Sequence, residues 1–149
     1  MPTRLIVMRH ADSSWPPSVA LDHDRPLSEQ GRLEAPRMFQ ALLQRHWQPD
    51  LALISSSVRT QETFSFLMEV ESEIRTEIYH ADLETLLPIA TGINEDKTTL
   101  ILGHNPGCEM LVATLCGEFH PMPPATCAMF TKTGPSWTLE SVLRPNEID

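Results

Sequence analysis

The chain has 149 residues, of which 41% are hydrophobic, and a formal net charge of -9 at pH 7. This length predicts a single domain over residues 1-149 that can bury a sizeable core. The acidic balance argues against nucleic acid or an anionic membrane surface as a partner, because surplus Lys and Arg drive binding to both.

Short runs rich in Ile, Leu and Val alternate along the chain with stretches of helical periodicity. The first strand is predicted over residues 4-10, "RLIVMRH", and a long polar, Pro-rich loop follows over 11-27. Loops of this length in a compact domain are more often functional than idle. The spacing of "SEQGRLEAPRMFQALLQRHW" (28-47) predicts a helix. Pro36 inside it predicts either a kink or a helix that begins near Pro36.

Three more strands are predicted over 51-56, 76-80 and 98-103, and a late pair over 126-132 and 136-143 surrounds Gly134 and Pro135. Two helices lie between the strands. Their apolar faces are Thr60, Phe64, Leu67 and Met68 in the first, and Cys108, Leu111, Val112 and Leu115 in the second. The alternation predicts a three-layer α/β/α sandwich with a mostly parallel central sheet and a C-terminal hairpin at its edge.

Cysteine usage and the lack of a long apolar segment indicate the compartment. The three cysteines are widely spaced and form no C-x-x-C pair, so we expect free thiols and neither disulfides nor zinc. His23 in "DHD" has no ligand partner at the spacing of a known metal motif, and we predict no metal. Nothing approaches 18 consecutive apolar residues and no cleavage site follows the first apolar run, so we expect a cytoplasmic protein.

Basic side chains follow three of the predicted strands. Arg9 and His10 end the first, Arg59 lies shortly after the second, and His104 follows the fourth. Ligands of such sheets bind where parallel strands end. Arginine holds phosphoryl oxygens with a planar fork of donors, and a neutral imidazole is a suitable nucleophile toward phosphorus. The sequence therefore predicts an oxyanion site with a nucleophile in it.

Two helix starts are expected at the same edge of the sheet. Ser57 in the run "SSS" can cap the helix that carries Arg59, and Asn105 in "HNPG" can cap the next, with Pro106 in its first turn. Both N-termini would direct their positive dipole ends at the anion. We therefore place Ser57 and Asn105 among the substrate-binding candidates.

Four motifs in this order, "VMRHA", "RPLSEQG", "ISSSVRTQET" and "LILGHNPG", resemble the histidine phosphatase superfamily, which has a phosphoglycerate mutase-like fold. The short build resembles its phosphohistidine phosphatase, SixA-like branch. The resemblance spans residues 4 to 112. It implies that His10 accepts the phosphoryl group, that Arg9 and Arg59 clamp it, and that His104 binds one of its oxygens. It also implies that Arg25 approaches the pocket, although Arg25 can equally pair with Asp22 and Asp24.

The sequence departs from other branches at the proton donor. Those branches place a general acid Glu, in a Gly-rich context, between the second strand and the second histidine. Here that interval offers only Asp82 and Glu84, and a helix cap is the alternative role for Asp82. His80, at a predicted strand end, could line the pocket.

A site without a strong acid favours N–P over O–P bonds, because a leaving imidazole needs less protonation than an alkoxide. We therefore predict a cofactor-independent phosphatase of phosphohistidine in a protein, with a phospho-His10 intermediate. One alternative is a phosphatase of small phosphate monoesters or sugar phosphates. Another is a non-catalytic phosphate-binding signalling module.

Overall fold

A six-stranded sheet runs through the middle of the molecule in the computed structural model, which describes residues 2–148. The strand order is β3-β2-β4-β1-β5-β6. The first four positions, β3, β2, β4 and β1, pair in parallel, whereas β5 pairs antiparallel with β1 and β6 with β5. This confirms the mostly parallel sheet with a C-terminal hairpin at one edge. The strands are β1 (Thr3–Arg9), β2 (Leu51–Ile54), β3 (Glu71–Ile74), β4 (Thr98–Gly103), β5 (Cys127–Thr133) and β6 (Ser136–Leu143).

Four α-helices cover the two faces of the sheet and confirm the three-layer sandwich. They are α1 (Glu29–Gln44), α2 (Val58–Phe64), α3 (Leu83–Thr91) and α4 (Gly107–Cys116). One core cluster joins the sheet to α1, and a second joins it to α3 and α4. Short 3₁₀ turns occur at Asp22–Asp24, Thr76–Ile78 and Pro145–Glu147. Among residues 2–148 no helix is long and apolar enough to cross a membrane.

The central strand β1 has apolar residues on both faces because helices cover both. Leu5, Ile6, Val7 and Met8 are fully buried, with alternate side chains in the two core clusters. Buried strands of parallel sheets have this continuous apolar pattern. The strand thus fixes the position of Arg9 at its carboxyl end.

The third strand differs from the prediction of 76-80. It lies at Glu71–Ile74, pairs with β2 only, and all four of its residues are exposed. An exposed edge strand needs no apolar alternation, so its polar sequence carried no strand signal. The apolar residues of 76-80 instead belong to a 3₁₀ turn that buries Ile78 in the core.

Two helix boundaries also differ from the predictions. Helix α1 runs through Pro36 and begins at Glu29, so a start near Pro36 is wrong. Its first turn is fixed by the Ser28 cap and by Gly31, which packs on the Asp12 carbonyl with no space for a Cβ. Helix α2 ends at Phe64, where the Ser65 hydroxyl donates to the helix backbone. Consequently Met68, expected on its buried face, is 73% exposed.

Candidate active site

Four parallel strands end at one edge of the sheet and bring the predicted residues together. Arg9 ends β1 and His10 follows it directly, Ser55 follows β2, and His104 follows β4. The chain after β3 adds Tyr79 and His80, whose rings contact each other and His104. The candidate site therefore lies at the carboxyl edge of the sheet, as expected for this architecture.

The backbone fixes the tautomer of His10. Its Nδ1 lies 2.7 Å from the Ala11 carbonyl oxygen, and a carbonyl can only accept, so Nδ1 carries the proton. The neighbouring Ala11 N–H donates to the Thr63 hydroxyl at 3.0 Å, which holds this peptide in place. The unprotonated Nε2 therefore faces the site, 3.3 Å from Nε of Arg59.

Burial keeps the His10 imidazole neutral. The ring is 6% exposed, and desolvation, together with the charges of Arg59 and Arg9, lowers its pKa from 6.5 to about 4. His10 thus has an available nitrogen lone pair throughout the neutral pH range. A neutral imidazole aimed at an anion-binding group can act as a nucleophile toward phosphorus.

Arg59 contacts Asp22, His10 and His104 at the centre of the site. It is 3% exposed and lies in the first turn of α2, whose N-cap Ser57 accepts from the Thr60 N–H. Nη1 donates to the Asp22 carbonyl at 2.8 Å, and Nη2 lies 3.1 Å from the Asp22 carboxylate. This buried guanidinium is compensated by an ion pair on one side and faces the imidazoles of the site on the other.

His104 is oriented by a serine beneath it. Its Nε2 lies 2.7 Å from the Ser55 hydroxyl and its Nδ1 lies 3.4 Å from Nη2 of Arg59. Since Arg59 can only donate, Nδ1 is the acceptor nitrogen and Nε2 carries the proton. Burial and the nearby His10 lower the pKa of His104 well below its usual range. The two imidazole centroids are 5.1 Å apart, close enough for both rings to contact one phosphoryl group.

Arg9 contributes a second guanidinium. Its Nη1 donates to the Met122 carbonyl at 3.2 Å, whereas its Nε is buried and has no hydrogen-bond partner within residues 2–148. Burial lowers the pKa of Arg9 from its usual value. Buried donors are nearly always paired in folded proteins, so the free Nε is suited to an oxygen of a bound anion.

Asp22 belongs to the site, although the sequence predicted it only as a partner of Arg25. Its carboxylate accepts from Arg59, from Arg25 at 3.1 Å and from the Tyr79 hydroxyl at 2.5 Å. Burial alone would raise the pKa of Asp22, but these hydrogen bonds outweigh it and lower the pKa well below the usual range. His80 lies 3.3 Å from the same carboxylate. The 11-27 loop thus delivers a permanent negative charge beside Arg59.

Three weaker candidates, Arg25, Ser57 and Asp82, have structural contacts of their own. Arg25 bonds Asp22, Ser13 and the Ser14 carbonyl and covers the Trp15 ring, which is the pairing role considered for it. Ser57 is fully buried as a helix cap. Asp82 is an exposed cap of α3, and its hydrogen bond with Thr85 lowers its pKa, which makes it a poor proton donor.

The prediction that Asn105 caps α4 is wrong. The helix begins one residue later than expected, and Pro106 occupies the N-cap position. Its amide still bonds the first turn, accepting from the Glu109 N–H at 3.3 Å, and it donates to the Met122 carbonyl at 2.9 Å. Since Arg9 donates to the same carbonyl, Asn105 and Arg9 together hold the 118-126 loop at Met122. Both hydrogen bonds of the Asn105 side chain are thus made within the protein, and its predicted role in substrate binding stays a prediction.

The arrangement combines a neutral imidazole with a free Nε2, two guanidiniums and a second imidazole, which suits transfer of a phosphoryl group. Within the described residues no group of three or more His, Cys, Asp or Glu side chains is placed to hold a metal ion. The one feature of the sequence that points to Asp22 is its position three residues before Arg25, with which it forms an ion pair. Tyr79 lay in a segment that we assigned to a strand, which obscured its role.

Two relatives are similar to this chain in sequence. An uncharacterised chloroplastic protein of Arabidopsis thaliana is 31% identical over 90% of this chain and 68% of its own. An uncharacterised protein of Mycobacterium tuberculosis is 30% identical over 72% of this chain and 69% of its own.

Solved structures are similar to this chain in fold. A protein of Agrobacterium tumefaciens, described provisionally as phosphohistidine phosphatase SixA, is 28% identical with a TM-score of 0.87, covering 97% of this chain and all of its own. The protein histidine phosphatase SixA in complex with tungstate has a TM-score of 0.82 at 23% identity, over 96% of this chain and 97% of its own, and this supports the fold alone. A family model matches residues 5–86, more than half of the sequence, and the chain therefore belongs to the histidine phosphatase superfamily, branch 1.

Proposed function

We propose that this protein hydrolyses phosphohistidine in other proteins through a phosphorylated His10. The observation that carries the proposal is the hydrogen bond from Nδ1 of His10 to the Ala11 carbonyl, which leaves Nε2 unprotonated in a buried, cationic site. A histidine in this state is ready to attack phosphorus without first losing a proton.

Two transfers make up the reaction. In the first, Nε2 of His10 forms a bond to phosphorus as the bond to the leaving nitrogen breaks. Arg9, Arg59 and His104 surround the place of the equatorial oxygens, where negative charge develops. In the second, water attacks the phosphorylated His10 and releases inorganic phosphate. No cofactor is needed in either step.

The acid groups of the site support a nitrogen leaving group. Asp22 is held ionised by its hydrogen bonds and Asp82 is an exposed helix cap, so neither carboxyl can protonate an alkoxide at neutral pH. A leaving imidazole departs neutral when its other nitrogen carries a proton. The similarity at 28% identity to the structure described provisionally as a phosphohistidine phosphatase points in the same direction.

A rapid-quench experiment with a radiolabelled phosphohistidine peptide tests the proposal. Wild type should carry an acid-labile, alkali-stable label that forms and decays as fast as turnover, and His10→Ala should carry none. His46→Asn is the control: His46 is remote from the site, and its left-handed backbone (φ 61°) suits asparagine. Normal turnover by His10→Ala would contradict the mechanism. Faster turnover of small phosphate esters than of the peptide would contradict the substrate.

A further inference from the structure

The imidazole of His80 is the outermost of three in a row. The centroids of His10 and His104 are 5.1 Å apart, and those of His104 and His80 are 5.2 Å apart. The first two rings are buried, whereas the His80 side chain is 55% exposed. His80 therefore lies on the solvent-exposed side of the three rings.

The Nε2 atom of His80 has a hydrogen-bond partner in either protonation state. It lies 3.3 Å from the Asp22 carboxylate, which accepts when Nε2 is protonated. It also lies 3.2 Å from Nη2 of Arg59, which shares its two hydrogens among Asp22, His104 and an unprotonated Nε2 of His80. A nitrogen placed between a fixed acceptor and a fixed donor can gain or lose a proton without leaving a partner unsatisfied.

The ring is held in place by its surroundings. It stacks on Tyr79 with centroids 4.2 Å apart and planes 18° apart. His80 has a left-handed backbone (φ 51°), which is uncommon for a non-glycine residue and persists where neighbours enforce it. The next residue, Ala81, bonds the Ile78 carbonyl and packs its own carbonyl on Gly107, where a Cβ would not fit. The charged and titratable groups that face the ring are Asp22, Arg59, Tyr79 and His104.

We infer that His80 is the base that takes the proton of the attacking water in the second transfer, an inference that rests on the function proposed above. In the first transfer, the leaving imidazole carries a proton on its other nitrogen and departs neutral with the electron pair of the broken P–N bond, so no proton donor is needed. In the second, the oxygen of water bonds to phosphorus while the bond from phosphorus to His10 breaks and returns its pair to Nε2 of His10. The proton of that water passes to neutral His80, which then releases it to solvent and returns to its neutral state.

Decay of the phosphorylated enzyme isolates the second transfer. Wild type and His80→Gln are labelled at His10 with radioactive phosphoramidate, and loss of the label is followed from pH 5 to 9. Glutamine can still donate to Asp22 and accept from Arg59, but it cannot take up a proton. His23→Gln is the matched control, because His23 also contacts Tyr79 by its ring edge but does not contact Arg59 among its described hydrogen bonds.

For wild type and His23→Gln, decay should accelerate with rising pH as a base becomes available. In His80→Gln the rate of decay should be about 100-fold lower at neutral pH, and it should no longer increase with pH. Unchanged decay, or an equal fall at every pH with the acceleration retained, would overturn the inference and leave the proposed function intact. Failure of wild type to form any label would overturn the proposed function and this inference with it.

Discussion

The lowered pKa of His10 makes the stability of the fold depend on pH. Folding keeps this imidazole neutral down to about pH 4, whereas in the unfolded chain it takes up a proton near pH 6.5. Between these values the unfolded chain binds more protons. The stability contributed by neutral His10 is therefore complete above pH 6.5 and is lost as the pH falls toward 4.

The two pKa values give the size of the effect. At pH 5 the unfolded imidazole is mostly protonated and the folded one mostly neutral, so His10 destabilises the fold by about 2 kcal/mol relative to pH 8. His104 acts in the same direction, because its pKa is also lowered by burial. Wild type should therefore lose more than the contribution of His10 alone.

The variant His10→Gln isolates the contribution of this residue, since glutamine does not titrate. Urea unfolding at pH 8 and pH 5, followed by tryptophan fluorescence, gives the loss of unfolding free energy for each protein. Wild type should lose about 2 kcal/mol more than His10→Gln on acidification. If both proteins lose the same amount, the imidazole is not kept neutral by the fold and the assignment of its free Nε2 as nucleophile fails.

Two further variants test how the imidazoles are held. Ser55→Ala removes the partner of Nε2 in His104, and we expect turnover to fall about tenfold and the ring to lose its single tautomer in nitrogen NMR spectra. Thr63→Val leaves the buried N–H of Ala11 without an acceptor and should lower the unfolding free energy by about 1 to 3 kcal/mol, whereas Thr63→Ser, which keeps the hydroxyl, should lose clearly less. An intact tautomer in the first variant, or equal losses in the second pair, would contradict these roles.

The sequence predicts those parts of the fold where burial leaves a pattern. Strand β1 is apolar because both faces are covered, and β5 and β6 end the chain as a hairpin. The exposed strand β3 has no such pattern, since its residues neither enter the core nor alternate. The end of α2 was also missed, because it depends on the Ser65 side chain competing for the helix backbone.

The same distinction applies to the site. Arg9, His10, Arg59 and His104 could be placed together because each follows a recognisable strand. The set of contacts around Asp22 could not, because it joins a loop, a helix and a turn that are far apart in sequence. Such a network depends on how the 11-27 loop folds back across the sheet edge, which local patterns do not encode.

The central position of β1 has a consequence for the order in which the chain folds. Along the chain this strand precedes both of its neighbours in the sheet, β4 and β5, so Thr3 pairs with Lys132 and Arg4 with Thr98. Contacts this distant in sequence form slowly. During translation the strand that ends at Arg9 therefore remains unpaired until β4 has left the ribosome. The candidate site therefore cannot form before β4 has been made, and chains truncated before β5 lack one of the two strands that hold β1 in the sheet.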